Sequence, residues 1–335
     1  MLPEFVEALG DGVYAIDTGF HRPRFDAAYL IVQQGHGAFV DTGTNHSVPR
    51  LLAALDALGI ARDRVDYVIP THVHLDHAGG VGLLMSELPQ AQALVHERGA
   101  RHMVDPTALY SGATAVYGAQ EMERSYGRLL PVAPDRVSAT HDGQQLDWHG
   151  RTLRFIDTPG HARHHHCIWD ETTRGWFTGD TFGLSYRVFD TAAGPWVMPT
   201  TTPVQFDPDA LKRSIGRLIE ADPRCVYLTH YSRVQEPRVH ARRLLRLIDE
   251  MVAIGQTHAQ LAPDARHTAY KTALRHCLLQ DMLRHGVPQA QIDDGTADDW
   301  LSLDIELNAQ GLAIWVDSRF KAPGASGHSP RAPAP

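Results

Sequence analysis

The chain has 335 residues, of which 43% are hydrophobic and 21% charged, and this composition excludes bulk disorder. Its 31 basic residues against 39 acidic ones give a net charge of −8. Since nucleic acids usually bind a basic face, we expect no nucleic-acid partner. The three cysteines lie far apart and form neither a disulfide framework nor a Cys-x-x-Cys metal clip, so a reducing compartment is expected.

The start of the chain carries no basic segment followed by an apolar stretch, and no apolar run is long enough for a transmembrane helix. The sequence therefore predicts a cytoplasmic protein without a membrane partner. Arginine outnumbers lysine 28 to 3, a bias that, together with abundant alanine, is typical of a GC-rich bacterial genome.

The predicted elements alternate between strands and helices in both halves of the chain. Short apolar runs with β-branched residues predict strands at 13–16, 28–32, 37–40, 65–69, 93–95, 152–156, 166–169, 175–178 and 225–228. Apolar residues at helical spacing predict helices at 47–59, 80–87 and 207–221, with a mostly helical excursion over 97–127. This order predicts an α/β layered architecture.

The pattern changes after residue 235. Helices are predicted at 237–256 and 264–285, whereas 297–317 reads as mixed. We therefore predict a main domain over 1–235, a helical appendage over 236–320 and a disordered tail rich in proline, glycine, serine and alanine over 321–335. The apolar stripe of the first helix favours packing against the main domain, with a homodimer interface or a cover over a pocket as alternatives.

Histidine is the residue that points to function, since there are 21 histidines and they cluster. The densest segment follows the strand at 65–69 and reads His72-Val73-His74-Leu75-Asp76-His77. In an extended chain His72 and His74 point to the same side and can share one ion, while Asp76 and His77 follow where the chain turns toward a helix. The segment therefore predicts a metal site.

Three more candidate ligands each follow a predicted strand. They are His161, Asp180 and His230. Side chains at the carboxyl ends of separate strands can converge at one edge of a sheet. Five histidines and two aspartates suit zinc, iron or manganese, and a closed structural zinc site is less expected because no cysteine is offered.

These motifs closely resemble the metallo-β-lactamase superfamily over about residues 10–235. The resemblance implies an αββα sandwich with two metal ions at one edge, and the C-terminal helices resemble those that help close the pocket in thioesterase-like members. It assigns His72, His74 and His161 to one ion and Asp76, His77 and His230 to the other, with Asp180 as the bridge. Asp41, in Asp41-Thr42-Gly43, matches a supporting position beside the metals.

Two departures from the family pattern stand out. The segment from Thr158 to His166 lacks the second glycine that often follows the histidine, and His230 stands in Thr-His-Tyr-Ser where Gly-His-Gly is frequent. The bridging aspartate without a cysteine ligand resembles the glyoxalase II and lactonase branch. We expect His164, His165 and His166 to support the site or lie on the surface, with ligation as the minor alternative.

The chemistry that this resemblance implies is hydrolysis of an ester-like bond in a small molecule, such as a thioester, lactone or ester. A hydroxide held between two divalent ions, most simply zinc, would be the nucleophile, and Asp76 the catalytic carboxylate that handles protons. Tyr186, Arg187 and Trp196 follow Asp180 closely and could line the pocket. The alternatives are an iron-dependent oxidoreductase of the persulfide dioxygenase kind, a phosphodiesterase or nuclease, and a non-catalytic sensor.

Overall fold

The computed structural model describes residues 1–202 and 204–320, so the tail predicted over 321–335 lies outside the described residues. The first sheet of the described chain has seven strands, β1 to β7, in chain order. They are Val6–Gly10, Val13–Asp17, Ala27–Gln33, His36–Val40, Val65–Ile69, Gln92–His96 and Val137–Thr140. Strands β4 to β7 are parallel, so their carboxyl ends share one edge.

The second sheet has six strands within the described residues, in the order β13-β12-β11-β10-β9-β8. Strands β8 to β13 are Gln145–Trp148, Arg151–Asp157, His166–Asp170, Gly175–Gly179, Cys225–Leu228 and Ser232–Gln235. Strand β10 is antiparallel to both β9 and β11, and β11 is parallel to β12. Strands β9, β11 and β12 therefore run in the same direction and end at the same edge.

Helices cover the outer faces of both sheets. Helices α1 to α11 are Val48–Leu58, Leu75–Ala78, Val81–Glu87, Ala100–Val104, Thr107–Tyr117, Ala119–Glu121, Pro208–Glu220, Pro237–Thr257, Pro263–His285, Gln289–Asp293 and Thr296–Phe320. Local sequence sets several helix ends. Asp207 caps α7 by accepting a hydrogen bond from the backbone N–H of Ala210 at 3.0 Å, and Gly59 ends α1 in the left-handed region at φ +69°.

Alternation along the strands separates two faces of the first sheet. Ile31 belongs to the same hydrophobic cluster as Phe177 of the second sheet, whereas its neighbour Leu30 belongs to the same cluster as Leu55 of α1. On the outer face of the second sheet, Trp176 belongs to the same hydrophobic cluster as the C-terminal helices. The layers are helix, sheet, sheet, helix, which confirms the predicted αββα sandwich with added C-terminal helices.

The C-terminal helices α8 to α11 share one hydrophobic cluster with the outer face of the second sheet. The boundary predicted at residue 235 stays a prediction. No helix among the described residues combines the length and the apolar character needed to cross a bilayer.

The predicted strands and helices are confirmed, and the differences lie where the sequence signal is weak. Strands β1, β7, β8 and β13 are absent from the prediction, and β8, for example, has only four residues, of which Gln145 and Asp147 are exposed. The segment 297–317 lies in one helix, α11, and not in a mixed structure. Its buried residues Leu301, Ile305 and Leu312 recur at helical spacing, but Leu303 and Leu307 face a cavity on another side and obscure that stripe.

Candidate metal centre

All seven predicted ligands follow the carboxyl ends of strands and meet at one edge of the sandwich. His72 and His74 follow β5, and the short helix α2 carries Asp76 and His77. From the second sheet, His161, Asp180 and His230 follow β9, β11 and β12. The common direction of these strands explains why residues far apart in sequence come together.

One group of ligand atoms consists of imidazole nitrogens from His72, His74 and His161. The Nδ1 atom of His74 lies 2.8 Å from Nε2 of His72 and 3.2 Å from Nε2 of His161. Three imidazole nitrogens directed at one another cannot all be satisfied by hydrogen bonds among themselves. Neutral imidazoles in this arrangement are typical metal ligands.

A second group consists of Asp76, His77 and His230. The Oδ2 atom of Asp76 lies 3.3 Å from Nε2 of His230 and 3.6 Å from Nε2 of His77. This mixed nitrogen and oxygen set suits the same divalent ions as the first group.

Asp180 joins the two groups. Its Oδ2 atom lies 3.3 Å from Nε2 of His161 in the first group, and its Oδ1 atom lies 3.3 Å from Nε2 of His77 in the second. Both Oδ1 of Asp180 and Nε2 of His77 are buried without a hydrogen-bond partner. Because buried polar atoms are nearly always satisfied, these two atoms fit ligation of a cation.

Asp41 supports the second group from behind. Its Oδ2 atom accepts hydrogen bonds from Nδ1 of His77 at 2.9 Å and from Oγ1 of Thr229 at 2.7 Å, and its Oδ1 atom accepts one from the backbone N–H of Thr71 at 2.6 Å. With the proton of His77 on Nδ1, its Nε2 atom is free to bind a metal. Asp41 adopts φ +56°, an uncommon value for a residue other than glycine.

His230 is oriented in the same way by a backbone carbonyl. Its Nδ1 atom donates to the carbonyl oxygen of Phe25 at 3.0 Å, which leaves Nε2 directed at Asp76. Both imidazoles of the second group therefore have their second nitrogen held by the protein, an arrangement common among metal-binding histidines.

The three consecutive histidines that follow His161 lie around the groups of ligand atoms, and none belongs to a group found among the described residues. His165 stacks on His72 with ring centroids 4.8 Å apart and accepts a hydrogen bond from the backbone N–H of Asp180 at 3.3 Å. His166 donates to the carbonyl oxygen of Pro70 at 2.9 Å. His164 lines the cavity described below.

The site concentrates buried negative charge. Burial would lower the pKa of His77, but the carboxylates of Asp180, Asp76 and Asp41 outweigh it and raise that pKa well above its ordinary value. Burial and the neighbouring histidines hold the pKa of His72 well below its ordinary value. Without a metal, His77 would take up a proton, and its positive charge would balance the carboxylates. A bound cation would balance the same negative charge.

A cavity of about 780 Å³ opens beside the two groups. Five of the candidate ligands line it, namely His74, Asp76, His161, Asp180 and His230. Its other walls come from the 20–25 loop, from α4 and α5, and from α11. A cavity of this size is typical of a small-molecule site.

Of the three predicted pocket residues, Tyr186 lines this cavity and donates a hydrogen bond to Oδ2 of Asp304 at 2.9 Å. Arg187 and Trp196 are not among the described residues that line it, which corrects the prediction. Arg187 turns away and donates to the carbonyl oxygen of Arg233 at 3.0 Å. Trp196 is buried in the helical cluster, where its indole N–H donates to Asp281 at 2.9 Å.

Sequence reasoning missed Asp304, a buried acid on α11 that lines the cavity. Burial raises the pKa of Asp304 to about 7, despite the hydrogen bond from Tyr186. No local motif marks Asp304 as a cavity residue. It lies in the segment 297–317, where the helical pattern in the sequence is obscured.

Comparisons with known proteins agree with this architecture. The family model of the metallo-beta-lactamase superfamily matches residues 21–230. A metallo-beta-lactamase fold-containing protein of Sulfurisphaera tokodaii is 28% identical over 247 residues, covering 71% of this chain and 85% of that protein. The crystal structure of an archaeal member of the superfamily from Sulfolobus tokodaii has a TM-score of 0.64 at 25% identity, covering 90% of this chain and 98% of that one.

Two further relatives carry names that describe a reaction. A hydroxyacylglutathione hydrolase of Aeromonas hydrophila is 30% identical over 162 residues, which is 48% of each chain. An atrochrysone carboxyl ACP thioesterase of Aspergillus fumigatus is 28% identical over 180 residues, covering 53% of this chain and 42% of that protein. The chain thus matches less than half the length of each of these two proteins.

Proposed function

The chain belongs to the metallo-β-lactamase superfamily, and from this premise we propose that it is a metal-dependent hydrolase of an ester-like bond in a small molecule: a thioester, a lactone or an ester. The observation that carries the proposal is the pair of ligand groups joined by Asp180 beside a cavity. The names of the two relatives, a hydrolase and a thioesterase, support the class of reaction.

The residues present fit two divalent ions, which we propose to be zinc, with iron or manganese as alternatives. His72, His74 and His161 would hold one ion, Asp76, His77 and His230 the other, and Asp180 would contact both. The orphaned Nε2 of His77 and Oδ1 of Asp180 are the atoms that such ions would satisfy. When bound, the ions would lower the pKa of water toward neutrality and polarise the carbonyl group of the substrate.

The carboxylate of Asp76 is the one placed to exchange protons with the substrate. Its side chain is 24% exposed, whereas that of Asp180 is 8% exposed, and it lines the cavity. Both oxygens of a carboxylate can accept hydrogen bonds, so Asp76 could contact an ion through one and receive or pass on a proton through the other.

The described residues that line the cavity include no serine or cysteine that could act as a nucleophile. The three cysteines are buried, and burial raises the pKa of Cys167 to about 12, so this thiol is unreactive near neutral pH. We therefore propose that water is the nucleophile.

The test is a panel of thioesters, lactones and esters supplied to protein loaded with zinc, manganese or iron, with Asp180→Asn as the matched control. We expect turnover of at least one class by the wild-type protein and loss of that turnover in the variant. Absence of hydrolysis across the panel with every metal would contradict the proposal. Oxygen uptake by the iron-loaded protein without hydrolysis would instead indicate the oxidoreductase alternative.

A further inference from the structure

Exposed apolar side chains collect at the mouth of the cavity. Val116, Val204 and Leu303 are 44%, 68% and 39% exposed, and all three line the cavity. Large hydrophobic residues that are left in solvent around a concave site commonly mark a surface that a ligand covers. The mouth therefore offers apolar surface for a ligand that extends out of the cavity.

Apolar surface also reaches inward to the second ligand group. The ring of Phe25 lies 5.5 Å from that of His230 and stacks on Tyr186 at 5.1 Å. Leu184 lines the same part of the cavity. The only charged group that α11 adds to this lining is Asp304 among the described residues, and it is engaged by the Tyr186 hydroxyl. An apolar acyl group fits this side.

Another part of the cavity wall is positively charged, in contrast to the apolar wall beside the second ligand group. Arg98, Arg101 and Arg163 line the cavity, and none of them forms an ion pair with a described residue. Of the acidic residues in the lining near the mouth, Glu121 pairs with Arg124, whereas Glu97 lies 3.0 Å from Nδ1 of His141, a histidine that carries charge only when it is protonated. In a chain of net charge −8, three arginines against the one carboxylate of Glu97 thus leave the mouth with an excess of positive charge.

The arginines lie on the side of the first ligand group. Arg163 follows His161 by two residues. Gly99, next to Arg98, packs so tightly against Val73 that a Cβ atom at Gly99 would lie 2.8 Å from Cγ1 of Val73. Because Val73 stands between His72 and His74, this packing places Arg98, which precedes α4, and Arg101, which lies on α4, beside the first group.

The cavity has an apolar wall beside the second ligand group and arginines beside the first. From this arrangement we infer that the substrate is an acyl thioester whose thiol half carries phosphate. The inference rests on the proposed function and names its substrate class. The acyl half lies against the apolar wall, and the phosphate is bound by the three guanidinium groups, which match phosphate oxygens in charge and geometry. Water adds its oxygen to the acyl carbon and the carbon–sulfur bond breaks. The electron pair leaves with sulfur, and a proton of water ends on sulfur, so an acid and a thiol are released.

The experiment compares one acyl group, octanoyl, on four thiols: coenzyme A, phosphopantetheine, pantetheine and glutathione. Pantetheine is the neutral reference and glutathione carries carboxylates in place of phosphate. We expect kcat/KM for the two phosphate-bearing thioesters to exceed that for the pantetheine thioester by roughly tenfold or more, mainly through KM, and the difference to shrink as salt is added.

Substitutions at the mouth test where the preference arises. In Arg98→Gln/Arg101→Gln and in Arg163→Gln the ratio of kcat/KM between the coenzyme A and pantetheine thioesters should fall toward one. All three arginines are exposed, so folding is not at stake. Arg213→Gln, which removes an exposed arginine of α7 outside the cavity lining, is the matched control and should keep the ratio.

The inference is overturned if the pantetheine thioester is as good a substrate as the phosphate-bearing ones, if the glutathione thioester is preferred, or if the arginine variants keep the wild-type ratio. Each of these results leaves thioester hydrolysis intact. If no thioester is hydrolysed at all, the proposed function itself fails, so the two failures are distinguishable.

Discussion

Two clusters of histidine and aspartate lie at opposite ends of the same strands. The candidate metal centre follows the carboxyl ends of β5 and β9, whereas His36 and Asp66 stand near the amino ends of β4 and β5, and His149 precedes β9. In both clusters the nitrogen and oxygen atoms converge closely enough to resemble a metal site. Residue type and convergence alone therefore do not separate them.

Hydrogen bonding does separate them. In the second cluster, Oδ2 of Asp66 accepts from the indole N–H of Trp148 at 2.7 Å and lies 3.0 Å from Nε2 of His149 and 2.9 Å from Nδ1 of His36. Arg64 donates to the other nitrogen of His36 at 3.1 Å. Protein donors thus satisfy the carboxylate.

In the metal centre, by contrast, a carboxylate oxygen has no protein donor. Oδ1 of Asp180 is buried without a hydrogen-bond partner, whereas the carboxylate of Asp66 is 25% exposed to water. Each cluster also has one buried imidazole nitrogen without a hydrogen-bond partner, Nε2 of His77 in the metal centre and Nδ1 of His36 in the second cluster, so the imidazoles do not separate them. A buried carboxylate oxygen without a donor needs a cation, but a partly exposed and hydrogen-bonded carboxylate does not. Burial and hydrogen bonding of the carboxylate oxygens therefore distinguish a metal site from a hydrogen-bond network of the same residue types.

The largest effect is expected from Asp180→Asn. The amide cannot serve both groups as a charged bridge, so the variant should lose metal and fall in activity by more than the roughly 10–100-fold that follows loss of a supporting residue. Metal content and kcat/KM on the best substrate of the panel measure this. Near wild-type activity with full metal content would show that the two groups do not need the bridge.

The next largest effect is expected from Asp41→Asn. Asparagine tolerates positive φ, so the substitution removes the charge behind His77 with little strain. We expect roughly 10–100-fold loss of metal affinity or activity, as is usual for partners that orient a ligand. Titration with a competing chelator would measure the affinity. An unchanged affinity would mean that Asp41 serves only the fold.

A smaller effect on stability is expected at Asp304, which is buried, whereas the side chain of Asp66 is 25% exposed. Its pKa is raised by burial from 3.8 to about 7, so the folded state holds a proton that the unfolded state releases. The stability that this proton allows is fully present below pH 3.8 and is lost as the pH rises to about 7. In that window the wild-type protein should lose at most about 1.4 kcal/mol per pH unit relative to Asp304→Asn.

Urea unfolding of both proteins between pH 4 and 8, with metal removed by a chelator, measures that difference. Both proteins contain the same ligands, so the part of the pH dependence that the two proteins share cancels in the comparison. A difference that stays constant over this range would show that the carboxyl is ionised in the fold.

The smallest effect is expected from Asp66→Asn. Partly exposed ion pairs contribute about 0–1 kcal/mol, so the free energy of unfolding should change by less than about 1 kcal/mol. Metal content and activity should stay at their wild-type values. Loss of a metal ion from this variant would mean that the second cluster is also a metal site and that hydrogen bonding does not separate the two.

The architecture and the ligand set could be predicted from sequence because their signals are local. Apolar runs mark the central strands, and His72 to His77 carries four ligands within six residues. What sequence could not supply depends on contacts between distant segments. Arg187 and Trp196 follow Asp180 closely in the chain, yet neither lines the cavity. Arg187 donates a hydrogen bond to the carbonyl oxygen of Arg233, and Trp196 donates one to Asp281.

The same limit explains the residues that sequence reasoning missed. Asp304 reaches the cavity from the far end of the chain, and the second cluster joins His36, Asp66 and His149 from three separate turns and strands. Neither has a local spacing that could be recognised, since each depends on how the helices and sheets pack.

The most direct test of the central claim is the metal content of the wild-type, Asp180→Asn and Asp66→Asn proteins, measured by elemental analysis after identical purification and metal loading. The account predicts two divalent ions per chain in the wild-type protein and in Asp66→Asn, and fewer in Asp180→Asn. Wild-type protein that binds no divalent ion, or a loss confined to Asp66→Asn, would contradict it.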